Sequence, residues 1–216
     1  MQKTRVVKCR ECFPNAFASL SPRIECTSKA PEAGRTLELE SKKPNILFFF
    51  TDDQRFDTIH ALGCEQIVTP HLDQLVARGT AFTHAFFPGG TVTAVCMPSR
   101  AMLHTGRTLF HLAEAGRWIP EEHVMLGEWL QQHGYRTYGT GKWHNGSASY
   151  ARSFTDGAEI FFGGMDDHWN VPVCDFDFTG CYDVLKPVVR NPWNSNQVAY
   201  RPCDHIAPGK HSTELF

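Results

Sequence analysis

The chain has 216 residues, enough for one α/β domain with a substantial core. A formal charge of −2 is nearly balanced, which excludes a broad electrostatic surface for nucleic acid or anionic membrane. No stretch reaches the length of an apolar membrane span, and the eight cysteines lie in a chain too long to need a disulfide scaffold.

Residues 1–43 differ in character from the rest of the chain. They are basic and then mixed, with no sustained hydrophobic period. The charged start Met1-Gln2-Lys3-Thr4-Arg5 has no apolar stretch behind it, so no signal peptide is read there. Cys9-x-x-Cys12 is half of a zinc pattern without a second pair nearby. The segment reads as a leader, disordered or mis-annotated, and order begins at Pro44.

Asn45-Ile46-Leu47-Phe48-Phe49-Phe50 is an uninterrupted apolar run of strand length, which predicts a central strand covered on both faces. It ends in Thr51-Asp52-Asp53-Gln54. Adjacent carboxylates at the carboxyl end of a buried strand are costly unless something neutralises them. Open α/β sheets place ligand sites at such ends, and a hard divalent cation suits an all-oxygen ligand set. Asp52 and Asp53 are therefore candidate metal ligands; for an isolated Asp-Asp a solvated turn is the competing reading. Thr69 to Gly79 predicts a helix, with Thr69 capping, Pro70 opening and Gly79 closing it. Leu72, Leu75 and Val76 form its expected buried stripe, and His71 lies on its surface. Thr80 to Phe87 predicts a strand, and Pro88-Gly89-Gly90 a turn.

Cys96-Met97-Pro98-Ser99-Arg100, running on to Ala101-Met102-Leu103-His104-Thr105-Gly106-Arg107, reads as a helix start with Pro98 in the first turn and Gly106 as the C-terminal cap. Cys96 then sits just before the helix, where unpaired N–H groups attract anions and lower a thiol pKa. Arg100 adds a fixed positive charge one turn further in. A nucleophile beside an anion cradle suits transfer of an anionic group; a buried structural thiol is the competing reading of Cys96 taken alone.

A helix follows from Val124 to His133 with Leu126, Trp129 and Leu130 on its apolar face, and then a short strand from Tyr135 to Thr140. At the strand end stands Gly141-Lys142-Trp143-His144-Asn145-Gly146. Lys142 is a compact cation suited to an anionic oxygen, and His144 can exchange a proton near neutral pH. Further on, Gly163 to Asn170 is a loop whose Asp166, Asp167 and His168 read either as sugar contacts or as a solvated turn. Cys174, Cys181 and Cys203 could pair in an oxidising compartment or stay reduced. His211 to Phe216 reads as the capped beginning of a helix, at which the chain looks cut.

Three of these blocks carry a family resemblance. They are Asp52-Asp53, Cys96-x-Pro98-Ser99-Arg100 continued as Ala101-x-Leu103-x-Thr105-Gly106-Arg107, and Gly141-Lys142-Trp143-His144-x-Gly146. Together they resemble the type I, formylglycine-dependent sulfatases of the alkaline phosphatase-like superfamily. The resemblance implies an α/β three-layer sandwich with a mostly parallel central sheet, truncated at the C-terminus. Residues 44–216 would form the N-terminal part of the catalytic domain. It also places Asp175 to Gly180 as a strand and turn near the leaving-group side.

The implied chemistry is hydrolysis of a sulfate ester on a small molecule or glycan. In the family a maturation enzyme reads the Cys-x-Pro-x-Arg pentapeptide and converts the cysteine, here Cys96, to formylglycine. Its hydrated form attacks sulfur with one hydroxyl and expels the alcohol. The other hydroxyl is then deprotonated, and sulfate leaves as the aldehyde is restored. Asp52, Asp53 and the modified Cys96 would hold Ca²⁺, with Mg²⁺ the other candidate. Arg100 would stabilise the nucleophile, Lys142 would bind sulfate, and His144 would orient or deprotonate the diol. The family's remaining metal ligands lie in a later portion, so this stretch alone is expected to be impaired. The resemblance implies a periplasmic or extracellular location. Phosphonate or phosphate ester hydrolysis, and a non-catalytic metal- or anion-binding remnant, are the alternatives.

Overall fold

The computed structural model describes residues 43–55, 57–85, 95–189, 197–206 and 208–216. The leader, its Cys9–Cys12 pair and the turn at 88–90 lie outside them. The chain divides into two compact units, Met1–Phe86 and Phe87–Phe216.

The described part of the first unit is built around α1 (Pro70–Arg78), which has the predicted limits. Thr69 opens it differently from a simple cap. Its hydroxyl donates to Asp73 Oδ1 at 2.9 Å and accepts from the His60 N–H at 2.9 Å. Asp73 also accepts from the Ala61 N–H at 2.9 Å, so one carboxylate ties the helix to the short 3-10 turn His60–Leu62. The expected buried stripe is only partly covered, since Leu75 is exposed. Residues 45–50 correct the sequence reading. They form no strand, and Leu47 and Phe49 are 92% and 75% exposed. An apolar run becomes a buried strand only where other strands bond its edges and layers cover its faces. Among the described residues of this unit no strand lies beside it. Residues 80–85 likewise hold one isolated bridge residue, Ala81, in place of a strand.

The second unit opens with α2 (Cys96–Thr105), closed by Gly106 in the left-handed region at φ 65°. Cys96 thus lies inside the first turn of the helix and not ahead of it. α3 (Leu126–Gln132) follows, and here too the sequence reading is corrected. Leu126 and Trp129 are about half exposed, whereas Met125 and Gly127 are buried. A Cβ on Gly127 would fall 2.1 Å from the Ser153 carbonyl oxygen, so α3 packs on α4 (Ser147–Ser153) through its smallest residue. Arg152 fastens the pair by donating to Glu128 Oε1 at 2.9 Å and to the His123 carbonyl at 3.1 Å.

β1 (Tyr138–Lys142) and β2 (Asp156–Phe161) pair in parallel, with α4 as the crossover that parallel pairing requires. Gly139 faces Gly157 in register, with the Tyr150 hydroxyl against both and the Phe154 ring against Gly139, which leaves no room for a Cβ at either. The Tyr150 hydroxyl donates to the Gly139 carbonyl at 2.8 Å, and burial pushes its pKa up, so it remains a donor. The remaining sheets are β3 (Pro172–Val173) with β6 (His205–Ile206), and β4 (Leu185–Val189) with β5 (Val198–Pro202). Both are antiparallel. Among the described residues the architecture is therefore mixed α/β with one parallel pair, less parallel than expected. α5 (Ser212–Leu215) is capped by His211, whose Nδ1 accepts from the Thr213 N–H, one residue ahead of the expected cap.

One core joins α2, α3, α4 and the β1–β2 pair, and a second gathers Phe161, Val171 and Val173 with Leu215. Ala101, Ile119, Met125, Trp143, Tyr150 and Ile160 are buried together, with Phe154, Phe162 and Phe176 against them. Cys174 and Cys203 are buried thiols, and burial pushes Cys174 up to about 12, which keeps it protonated. Cys181 is an exposed thiol.

Candidate active site

The predicted site residues of the second unit converge on the junction between α2 and the end of β1. β1 pairs regularly with β2 up to Thr140, where the register slips: Thr140 faces Ala158, but Gly141 faces Ile160. The extra residue, Glu159, takes φ 52°. Such a bulge re-aims the residues after it. Lys142 then pairs with Phe161, and the Trp143 N–H donates to the Phe161 carbonyl at 2.9 Å.

Trp143 is the anchor of this loop. It is 3% exposed, stacks edge-on against Tyr150 and Phe154, and donates through Nε1 to the Gly146 carbonyl at 2.7 Å. Asn145 is 1% exposed, and its Nδ2 donates to the carbonyls of Met97 and Gly116 at 3.0 and 2.6 Å. His144 lies between these two buried neighbours at φ 74°, a left-handed conformation that costs about 1 kcal/mol and persists only where flanking contacts fix it. Asn145 thus locks the loop to the first turn of α2, which carries the thiol.

The result is a contact across 48 residues of sequence: Cys96 Sγ lies 3.3 Å from His144 Nδ1. Arg100, buried one turn further along α2, donates through Nη1 to the Lys142 carbonyl. Cys96, Arg100, Lys142 and His144 are therefore gathered at this junction, Cys96 through its contact with His144 and Arg100 through its bond to the Lys142 backbone. His104, on the same helix, packs its ring 4.4 Å from that of Trp143. Burial, with the Arg100 charge second, pushes its pKa down to about 4, so it is a neutral packing group at physiological pH.

His144 opens onto a cleft of about 700 Å³ whose walls include Met97, Arg117, Trp118, Phe162, Gly164 and Arg201. A Cβ on Gly164 would sit 2.5 Å from His144 Nε2, so this glycine lets the far wall close directly onto the imidazole. The three loop residues read as sugar contacts are occupied otherwise. Asp166 is buried and pairs with Arg201 at 3.6 Å. Asp167 accepts from Asn170 Nδ2 at 2.6 Å and from the Trp169 N–H at 3.0 Å, which hold its pKa below the usual carboxylate value. His168 Nδ1 lies 2.8 Å from the Ser212 hydroxyl.

Asp52 and Asp53 belong to the first unit, where both are exposed and Asp53 takes φ 47°. Among the described residues no group of three or more His, Cys, Asp or Glu is gathered as a metal site. No helix among them is long and apolar enough to cross a membrane.

By its described elements the chain is a mixed α/β protein, a broad class, with a thiol in the first turn of a helix packed against an imidazole. Comparison with known proteins narrows the class. The sulfatase family model matches residues 44–200, and the chain belongs to that family. It is 32% identical over 158 residues to an ulvan-active sulfatase of Formosa agariphila, covering 70% of this chain and 29% of that protein. It is 37% identical over 111 residues to arylsulfatase A of Bos taurus (48% and 21%), and 34% identical over 113 residues to an N-acetylgalactosamine-6-O-sulfatase of Bacteroides thetaiotaomicron (49% and 21%). The chain therefore spans less than a third of the length of these relatives. No solved structure matches it.

Proposed function

We propose that this protein hydrolyses sulfate esters of carbohydrates, with Cys96 as the residue converted to formylglycine and Arg100, Lys142 and His144 as its working partners. The 3.3 Å approach of Cys96 Sγ to His144 Nδ1 is the observation that carries the reading. A residue that must gain and lose a proton at position 96 needs a base within hydrogen-bond reach, and an imidazole there is suited to neutral pH.

Formylglycine at position 96 supplies a hydrated aldehyde, with one hydroxyl to attack sulfur and a second through which sulfate is released. The residues of this chain do the rest. His144 holds the proton at Nδ1 and orients the group at position 96. Lys142, fixed at the bulged end of β1, binds a sulfate oxygen as a compact point charge. Arg100 fixes the Lys142 backbone and adds positive charge where the transferred group is most negative.

The donor chemistry of Asp52 and Asp53 fits a hard divalent cation, Ca²⁺ or Mg²⁺, as part of a set of roughly six to eight oxygens for calcium. Such a cation, when bound, polarises the sulfuryl oxygens and favours the ionised nucleophile. The Cys-x-Pro-x-Arg pentapeptide provides the recognition sequence for the maturation enzyme. Sulfated carbohydrate is favoured as substrate because two of the relatives are named for such activity, on ulvan and on N-acetylgalactosamine-6-sulfate. A periplasmic or extracellular location goes with that substrate. Residues 44–216 form the N-terminal part of the catalytic domain in this reading.

The test is the turnover of sulfate and phosphonate esters of one alcohol by the natural protein, co-produced with a formylglycine-generating enzyme. Sulfate ester turnover that disappears in Cys96→Ala is expected. Preference for the phosphonate, or activity that survives Cys96→Ala, overturns the assignment.

A further inference from the structure

We propose that Arg117, Trp118 and Arg201 form a subsite for a second anionic group on the sugar that carries the scissile sulfate. The preferred substrate is then a multiply sulfated or carboxylated saccharide. The inference rests on the sulfatase reading for its chemistry, but on different residues.

Two guanidinium groups line the cleft onto which His144 opens, and among the described residues no carboxylate does. Arg201 is partly balanced by the Asp166 carboxylate behind it, so the surplus positive charge of this concave wall comes from Arg117. Both cations stand on fixed supports. Arg201, on β5, is held by Asp166, whose side chain is wholly buried behind it. Arg117 follows Gly116, which packs so tightly on α2 that a Cβ there would lie 3.0 Å from both Ala101 Cβ and the Pro98 Cα. The Gly116 carbonyl also accepts from Asn145, the residue that locks the His144 loop. Arg117 is thus tied to the helix that carries Cys96 and to the loop that carries His144.

Trp118 supplies the third element. Its ring rests on Gly146, where a Cβ would come within 2.6 Å of the indole, yet the side chain is 56% exposed. An indole held on one side and open on the other is a platform for the apolar C–H face of a sugar ring. Arginine is the side chain best matched to planar or branched oxyanions, through paired N–H donors. A neutral sugar would leave the exposed charge of Arg117 unmatched; a second sulfate or a carboxylate beside the platform engages it, with the remaining N–H donors of Arg201.

The test compares binding of a hexose monosulfate and of the same hexose carrying a second sulfate to the purified protein by calorimetry, with turnover of 4-nitrophenyl sulfate measured alongside. The disulfate is expected to bind about tenfold tighter, as one additional charge-assisted contact would give. Arg117→Ala, at an exposed position, should erase that preference without altering the circular dichroism spectrum, and Arg117→Lys should restore part of it. Arg201→Lys, which keeps the charge on Asp166, should reduce the preference. Equal affinities for the two sugars, or a preference unchanged in Arg117→Ala, overturns the subsite. A preference that behaves as expected without any 4-nitrophenyl sulfate turnover leaves the subsite standing and counts against the sulfatase reading instead.

Discussion

An apolar run and a single tryptophan of this chain meet opposite fates. Residues 45–50 are apolar except for Asn45, and stand mostly exposed. Trp143 sits in a polar, glycine-rich loop and is 3% exposed. The difference lies in what each meets. Around Trp143 the neighbours arrive from α2, α4 and β2 and satisfy its indole N–H as well as its ring. The run at 45–50 has no strand beside it among the described residues. Hydrophobicity sets a demand for burial, and long-range partners decide whether it is met.

That contrast can be broken most severely at β1 and β2. Gly157→Val places a Cβ about where the Tyr150 hydroxyl lies, 2.2 Å away, and against the Gly139 carbonyl. A loss of about 3 kcal/mol or more is expected by chemical denaturation, since backbone and a locked ring cannot both retreat. Asn145→Leu leaves the Met97 and Gly116 carbonyls without their donor in a buried setting, at a cost of about 2–3 kcal/mol in the same measurement.

A smaller effect separates the buried site from its surroundings by pH. His104 titrates near pH 4 when folded and at its usual 6.5 when unfolded. Between those values the unfolded chain binds the extra proton, so stability falls as pH falls through that window. About 1 kcal/mol should be lost by about pH 5.5, and His104→Phe should flatten the profile over that range. At the other extreme, Phe49→Ser removes an exposed ring and should change unfolding free energy by less than about 0.5 kcal/mol. A large loss there would show the run to be covered.

The sequence made some of this legible and not the rest, for physical reasons. α1 and α2 carry their own stop signals, Gly79 and Gly106, and α1 its start at Pro70, so their limits can be read locally. The Cys96–His144 juxtaposition followed from matching motifs, not from any local rule. Asn145 stood in the variable position of its motif, and its partners lie 48 and 29 residues away, so nothing nearby announced it. The buried face of α3 is not legible in its apolar pattern because close helix packing selects Gly127, which pattern counting scores as neutral. The roles of Asp166 and Arg201 depend on each other across a chain reversal and were equally hidden.

The central claim is that Cys96 is the site of thiol-to-aldehyde conversion. Mass spectrometry of the peptide containing Cys96, from protein co-produced with the maturation enzyme, tests it most directly. The account predicts formylglycine at position 96, lost when Pro98 or Arg100 is replaced by alanine. An unmodified thiol in the wild-type protein would contradict it.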